Sequence, residues 1–234
     1  MTGWRRRSGC GSTPGRWAGL SSASGSRAKK KTLRAAERDE AEIAAERDGW
    51  REATAGIAPA RLVFLDESAA LTNLTRTHAR SPRGERARGS APGGRWERVT
   101  ILGALGVEGI VAAMGVTAAT DGAVFHAYLE RVLLPELRRV KPDAVLVMDN
   151  LGAHKAEPVR ELLAASGFGY RYLPRYSPDL NPIEPAWAKV KSLLRKAAAR
   201  TVDGLHAALG PALDTITAQD ARGFFRHAGY ACPD

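Results

Sequence analysis

The chain has 234 residues, 44% of them hydrophobic, enough to bury one substantial core, and its length allows one large domain or one domain with an extension. Its formal net charge of +10 points to a polyanionic partner, and the excess sits at the N-terminus: residues 1–31 hold eight Lys or Arg and no acid, which leaves 27 basic against 25 acidic residues beyond them. Cys10 and Cys232 stand near opposite ends without metal-ligand spacing, and no apolar run reaches the roughly 18 residues of a membrane span, so a disulfide framework, a cysteine zinc site and a membrane helix are excluded and a reducing, cytosolic compartment is expected.

Residues 1–31, rich in Gly, Ser and Arg, show no periodicity and predict a disordered basic arm. "TLRAAERDEAEIAAERDGWRE" (32–52) has high helix propensity with interleaved charges, so a solvated linker helix over 32–56 leads into a domain at 57–234. "RLVFLDES" reads as a strand ending in acid. "RWERVTILGALG" and "GIVAAMGV" read as two more, joined by a turn at Val107 and Glu108 into an antiparallel hairpin. "DGAVFHAYLERVLLPEL" has Val124, Tyr128, Leu129, Val132 and Leu133 at helical spacing. "DAVLVMDN" is the continuous apolar run of a strand covered on both faces. A helix at about 155–166, a strand "YRYLP" and a helix at about 182–199 follow. The order β-β-β-α-β-α-β-α is that of an α/β fold: a mixed sheet, three antiparallel strands then parallel ones, flanked by helices.

Three acids fall at element ends in this reading. Asp66 closes the first strand, Asp149 the buried strand, and Glu184 lies in the first turn of the helix from 182. Neighbouring strands deliver their last residues to one sheet edge, so such carboxylates can converge on Mg²⁺, which prefers oxygen ligands and retains waters. Two ions then serve in-line phosphoryl displacement. Each acid has a purely structural alternative. Either aspartate could simply close a strand, while Asn181 as N-cap, Pro182 at N1 and Glu184 at N3 compose a capping box.

"LVFLDES", "VMDNLGAHK" and "YSPDLNPIEPAWAKVK", with 34 residues between Asp149 and Glu184, resemble the catalytic domain of bacterial insertion-sequence transposases of the mariner superfamily. The likeness runs from about Lys29 to "FFRHAGY". It implies a ribonuclease-H-like fold, with Asp66, Asp149 and Glu184 as a metal-binding Asp-Asp-Glu (DDE) triad holding two Mg²⁺, for which Mn²⁺ can substitute. The implied reaction is phosphodiester hydrolysis at transposon ends, followed by attack of the freed 3′-hydroxyl on target DNA. The prolines around Glu184 would then hold one carboxylate rigidly opposite two aspartates.

Asn150 and His154 could orient Asp149 or touch DNA, and a satisfied structural histidine is an equal alternative. Trp187, at helical spacing with Ile183, Val190 and Leu194, reads as core. Glu67 follows a proposed ligand directly and should face the other side of the strand, outside the triad. Arg76, Arg80, Arg83, Arg86, Arg88, Arg95 and Arg98, and the helix face of Lys189, Lys191, Arg195, Lys196 and Arg200, read as phosphate contacts in this context. The family usually carries N-terminal helix-turn-helix domains, and here the likeness starts only at "KKKTLRAAERD". The end-recognition module is therefore expected as a separate upstream product joined by frameshifting, or as lost from a decayed element. The expected partners are transposon-end and target DNA and a second copy of the chain, in a nucleoid-associated setting. The alternative readings are an inactive DNA-binding remnant and, less compatible with "SPDLNPIEPAW", a stand-alone ribonuclease-H-like nuclease.

Overall fold

Strand β1 (Leu62–Leu71) opens with four consecutive buried apolar residues, Leu62, Val63, Phe64 and Leu65, so both its faces must be covered. In the computed structural model, which describes residues 35–118 and 121–232, β1 is the middle strand of a five-stranded sheet ordered β3-β2-β1-β4-β5. The arm expected over residues 1–31 lies outside the described residues. Strands β2 (Arg98–Gly106) and β3 (Gly109–Val116) pair antiparallel around the predicted two-residue turn, where Gly109 takes φ +129°. Strands β4 (Val145–Met148) and β5 (Gly169–Tyr172) run parallel to β1. Asp66 therefore does not end its strand. It sits in the middle of β1, opposite Gly103 of β2, because pairing continues through Leu71↔Arg98.

The helices are α1 (Ala41–Ala55), α2 (Gly122–Tyr128), α3 (Leu134–Val140), α4 (Glu157–Ser166), α5 (Ile183–Ala197), α6 (Val202–Leu213) and α7 (Ala218–His227). A π turn at Leu129–Leu133 carries α2 into α3. Side-chain alternation along β1 divides the core in two. Leu62 and Phe64 join Ile101, Val147, Trp187, Val190, Leu209 and Phe225, so α1, α5, α6 and α7 cover that face. Val63 and Leu65 join Leu102, Leu146, Phe125, Leu133 and Leu163 beneath α2, α3 and α4.

Helix α1 is not the solvated lead-in expected. Ile43, Arg47, Trp50 and Thr54 are buried along one stripe, and the Trp50 Nε1–H donates to the Tyr230 hydroxyl at 3.1 Å. The stripe has only two large apolar side chains with an arginine between them, so it does not stand out among the charges. Helices α6 and α7 escaped the sequence reading too. Gly204, Gly210 and Pro211 break the pattern of α6, while α7 is short and held by a capping box between Thr217 and Asp220.

One close approach brings α5 to the middle of the sheet. A Cβ on Gly103 would lie 2.5 Å from Trp187 Cη2, so only glycine lets this indole, 2% exposed, settle against β2. Trp187 is core, as its spacing indicated. Glu184 is one turn earlier on α5 and Asp66 is the register partner of Gly103, so this packing sets how α5 stands over β1.

Candidate active site

Asp66, Asp149 and Glu184, far apart in sequence, line a single cleft of about 440 Å³ together with Asn150, Arg175, Tyr176, Ser177 and Asn181. Parallel pairing of β1 with β4 places Asp149, just past β4, beside the middle of β1, and α5 supplies Glu184 from its first turn. The three carboxylates act on one another. Burial first, then the charges of Glu184, Glu67 and Asp149, push the Asp66 carboxyl up to about 7, against a hydrogen bond it accepts from the Glu67 N–H at 2.8 Å.

Glu67, as predicted from strand alternation, does not line the cleft; it shares its face of β1 with Val63 and Leu65. Its Oε1 lies 2.9 Å from Nε2 of His154, which is fully buried. The His154 Nδ1 stands 2.6 Å from Asp149 Oδ1, at ion-pair distance but off the line of a good hydrogen bond. Burial works against a charge on this imidazole, and the carboxylates Asp149 and Glu67 outweigh it, pushing its pKa up to about 10. His154 is thus buried between Asp149 and Glu67, while Asn150 is exposed on the cleft wall.

The capping box expected at Glu184 does not form. Pro182 itself occupies the N-cap position with helical angles, and Asn181 closes the 3₁₀ turn Pro178–Leu180. The Glu184 N–H donates to the main-chain carbonyl of Asn181 at 3.2 Å, and the buried Asn181 Oδ1 has no hydrogen-bond partner. A proline-stiffened turn, rather than a side-chain cap, fixes the start of α5.

Helix α1 braces that turn, which sequence reasoning missed. The buried Arg47 guanidinium donates to Ser177 Oγ (2.6 Å) and to both Asp179 oxygens (3.0 and 2.8 Å), while Arg175 pairs with Glu42 and Glu46. Alternating acid and base over residues 37–52 was the available signal. Beyond the cleft, the six arginines of the β1–β2 segment and Arg98 at the start of β2 are all exposed. Arg195 and Lys196 of α5 line a second, 490 Å³ cleft with Arg76, Thr77 and His78. Two residues of the expected basic face are committed elsewhere. Lys189 pairs with Asp220 (2.7 Å), and Arg200 donates to the carbonyls of Thr72 and Leu74 and to Thr75 Oγ1, tying down the β1–β2 segment.

Residues 61–206, well over half of the chain, match the family described as DDE superfamily endonuclease, and that span contains all three cleft carboxylates. The chain belongs to this DDE endonuclease family. Its mixed sheet is the ribonuclease-H-like one expected, for it superposes on the crystal structure of the catalytic domain of Mos1 mariner transposase with a TM-score of 0.63 (15% identity, covering 85% of this chain and 91% of that one). It is also similar to the Mos1 transposase paired-end complex with left transposon end (TM-score 0.66, 19% identity, 88% and 63% covered). A third similar structure is the Mos1 mariner paired end complex with Mn (TM-score 0.67, 17% identity, 87% and 63% covered). The chain thus spans 63% of the length of the transposases in those two complexes. No curated protein is significantly similar in sequence. Among the described residues of this DDE endonuclease, no helix is long and apolar enough to cross a membrane.

Proposed function

We propose that the chain is the catalytic domain of a transposase, with Asp66, Asp149 and Glu184 as its catalytic, cation-holding carboxylates. The carrying observation is that these three acids line one cleft inside the family-matched span. Their chemistry suits a hard divalent cation: three oxygen-donor side chains share a site where burial first, and then the neighbouring carboxylates, raise Asp66, and added positive charge would offset both. Among the described residues no group of three or more acid, histidine or cysteine side chains is already placed to hold a metal ion, so the carboxylates would have to close on the ions, with waters and substrate oxygens completing the shell. Mos1 complexes with Mn and with Mg are among the similar structures, which supports two Mg²⁺, replaceable by Mn²⁺, as the ions. The bound ions would supply activation of the attacking oxygen and stabilisation of the leaving one.

The chain's own residues hold the substrate and the acids. Asp66 must give up its proton before it can ligate, so its ionisation gates assembly of the site. Asp149 is oriented by the Leu151 N–H (3.1 Å), Glu184 by the proline-stiffened turn, and that turn by Arg47. Arg76, Arg195 and Lys196 supply phosphate contacts along the DNA. The proposed reaction is cleavage at transposon ends followed by joining of the 3′-hydroxyl to target DNA by paired copies of the chain. A separate upstream helix-turn-helix product for end recognition and a cytoplasmic, nucleoid-associated setting belong to the same proposal.

The test incubates the full chain with supercoiled plasmid in Mn²⁺ or Mg²⁺. Cation-dependent nicking that disappears in Asp149→Ala is expected. DNA binding without nicking in either cation would instead favour the inactive remnant.

A further inference from the structure

A carboxylate facing an apolar layer needs a reason, because burying charge is costly unless the charge is paired. Glu67 shares its face of β1 with Val63 and Leu65, its side chain is 15% exposed, and its buried Oε2 has no hydrogen-bond partner. Among the described residues its one ion-pair contact is His154. A leucine at position 67 would serve packing better.

The histidine is held as firmly as the glutamate. Its ring stacks on Phe125 with centroids 4.1 Å apart, and its main-chain carbonyl accepts a hydrogen bond from the Tyr172 hydroxyl at 3.1 Å. From this fixed ring, Nδ1 reaches Asp149 Oδ1, which also accepts the Leu151 N–H at 3.1 Å. Among the described residues, both contacts to the Asp149 carboxylate fall on that one oxygen. Oδ2 has no hydrogen bond or ion pair among the described residues.

We propose that Glu67 and His154 form a buried clamp that fixes the orientation of the Asp149 carboxylate, which makes Glu67 a positioning residue for cation binding without entering the cleft. The clamp rests on the reading of the cleft as a cation site. It follows a general pattern, in which the partners behind a ligating group set its direction and their loss weakens metal affinity by about 10–100-fold.

The test measures Mn²⁺ affinity of the full chain by electron paramagnetic resonance and thermal midpoints without metal. In the double variant Glu67→Leu/His154→Leu, both polar partners are replaced by apolar groups, so the fold is retained with an equal or higher midpoint. Mn²⁺ binding weakens by about 10–100-fold. Glu67→Gln, whose amide oxygen can still accept from the Nε2–H, stays within about threefold of wild type. A double variant that binds Mn²⁺ within about twofold of wild type overturns the clamp, as does a Glu67→Gln loss equal to that of the double variant, which would assign the effect to charge rather than position. The Asp149→Ala control separates the two readings: Mn²⁺ binding unchanged in it removes the cleft as a cation site, and the clamp with it.

Discussion

Replacing Asp66 with asparagine should stabilise the metal-free protein and destroy its response to metal. The Asp66 carboxyl is pushed up from 3.8 to about 7, chiefly by burial and by Glu184. Because the folded-state pKa is the raised one, stability is intact below about pH 4, falls as pH rises towards 7, and stays reduced above that. A shift of this size sets a ceiling of about 4 kcal/mol on what ionised Asp66 costs the fold at pH 8, from 1.36 kcal/mol per unit. Asparagine keeps an oxygen for the Glu67 N–H, and partial solvation reduces the ceiling, so a gain of about 1–3 kcal/mol is expected, or roughly 3–9 °C in Tm for a domain of this size. Calorimetry in chelator at pH 8 and pH 5 provides the assay; at pH 5 roughly a third of the gain should remain. Adding Mn²⁺ at about 100 times its Kd should stabilise wild type by about 2.7 kcal/mol and leave Asp66→Asn nearly unmoved. A variant less stable than wild type at pH 8, or a gain that does not vary with pH, would refute the electrostatic argument.

Asp149→Ala should lower metal-dependent plasmid nicking by at least about 100-fold and, by stripping His154 of a partner, destabilise by about 1–3 kcal/mol in chemical denaturation. Gly103→Ala places a methyl against Trp187 and should cost about 1–3 kcal/mol by the same measurement, with nicking reduced because α5 is displaced from β1. Arg47→Ala leaves Ser177 and Asp179 without their brace; about 2 kcal/mol of stability is expected to be lost, and hydrogen exchange should speed up over residues 173–182 while the β2–β3 hairpin stays protected. Arg195→Ala/Lys196→Ala should weaken binding to DNA of any sequence and reduce the slope of log K against log salt by about 2, whereas Lys189→Ala, already paired with Asp220, should leave that slope unchanged.

The parts of this fold written in local pattern were legible. The glycine-bounded hairpin, the apolar run of β4 and the stripe containing Trp187 depend on neighbours a few residues away, and each element formed where its pattern placed it. Long-range pairing was not written that way. Nothing near Asp66 shows that β1 continues to Leu71, because that extension is decided by its pairing with β2. Arg47 looks like any solvated arginine until Ser177 and Asp179, some 130 residues later, come to meet it. The same holds for Lys189 and Arg200, whose partners lie on other elements. Asn181 had the right residue type for a cap, but the backbone of Pro182 had already taken the helical conformation and left no place for the cap's side chain. Glu67 was excluded from the cleft for a sound reason, the alternation of a strand, and that alternation is also what delivers it to His154.

The central claim is that one cleft gathers three carboxylates around divalent cations. Anomalous diffraction from crystals of the full chain grown with Mn²⁺ tests it most directly. Density bounded by Asp66, Asp149 and Glu184, and absent in Asp149→Ala crystals, is the predicted result; Mn²⁺ sites only elsewhere on the surface, with the cleft empty, would contradict it.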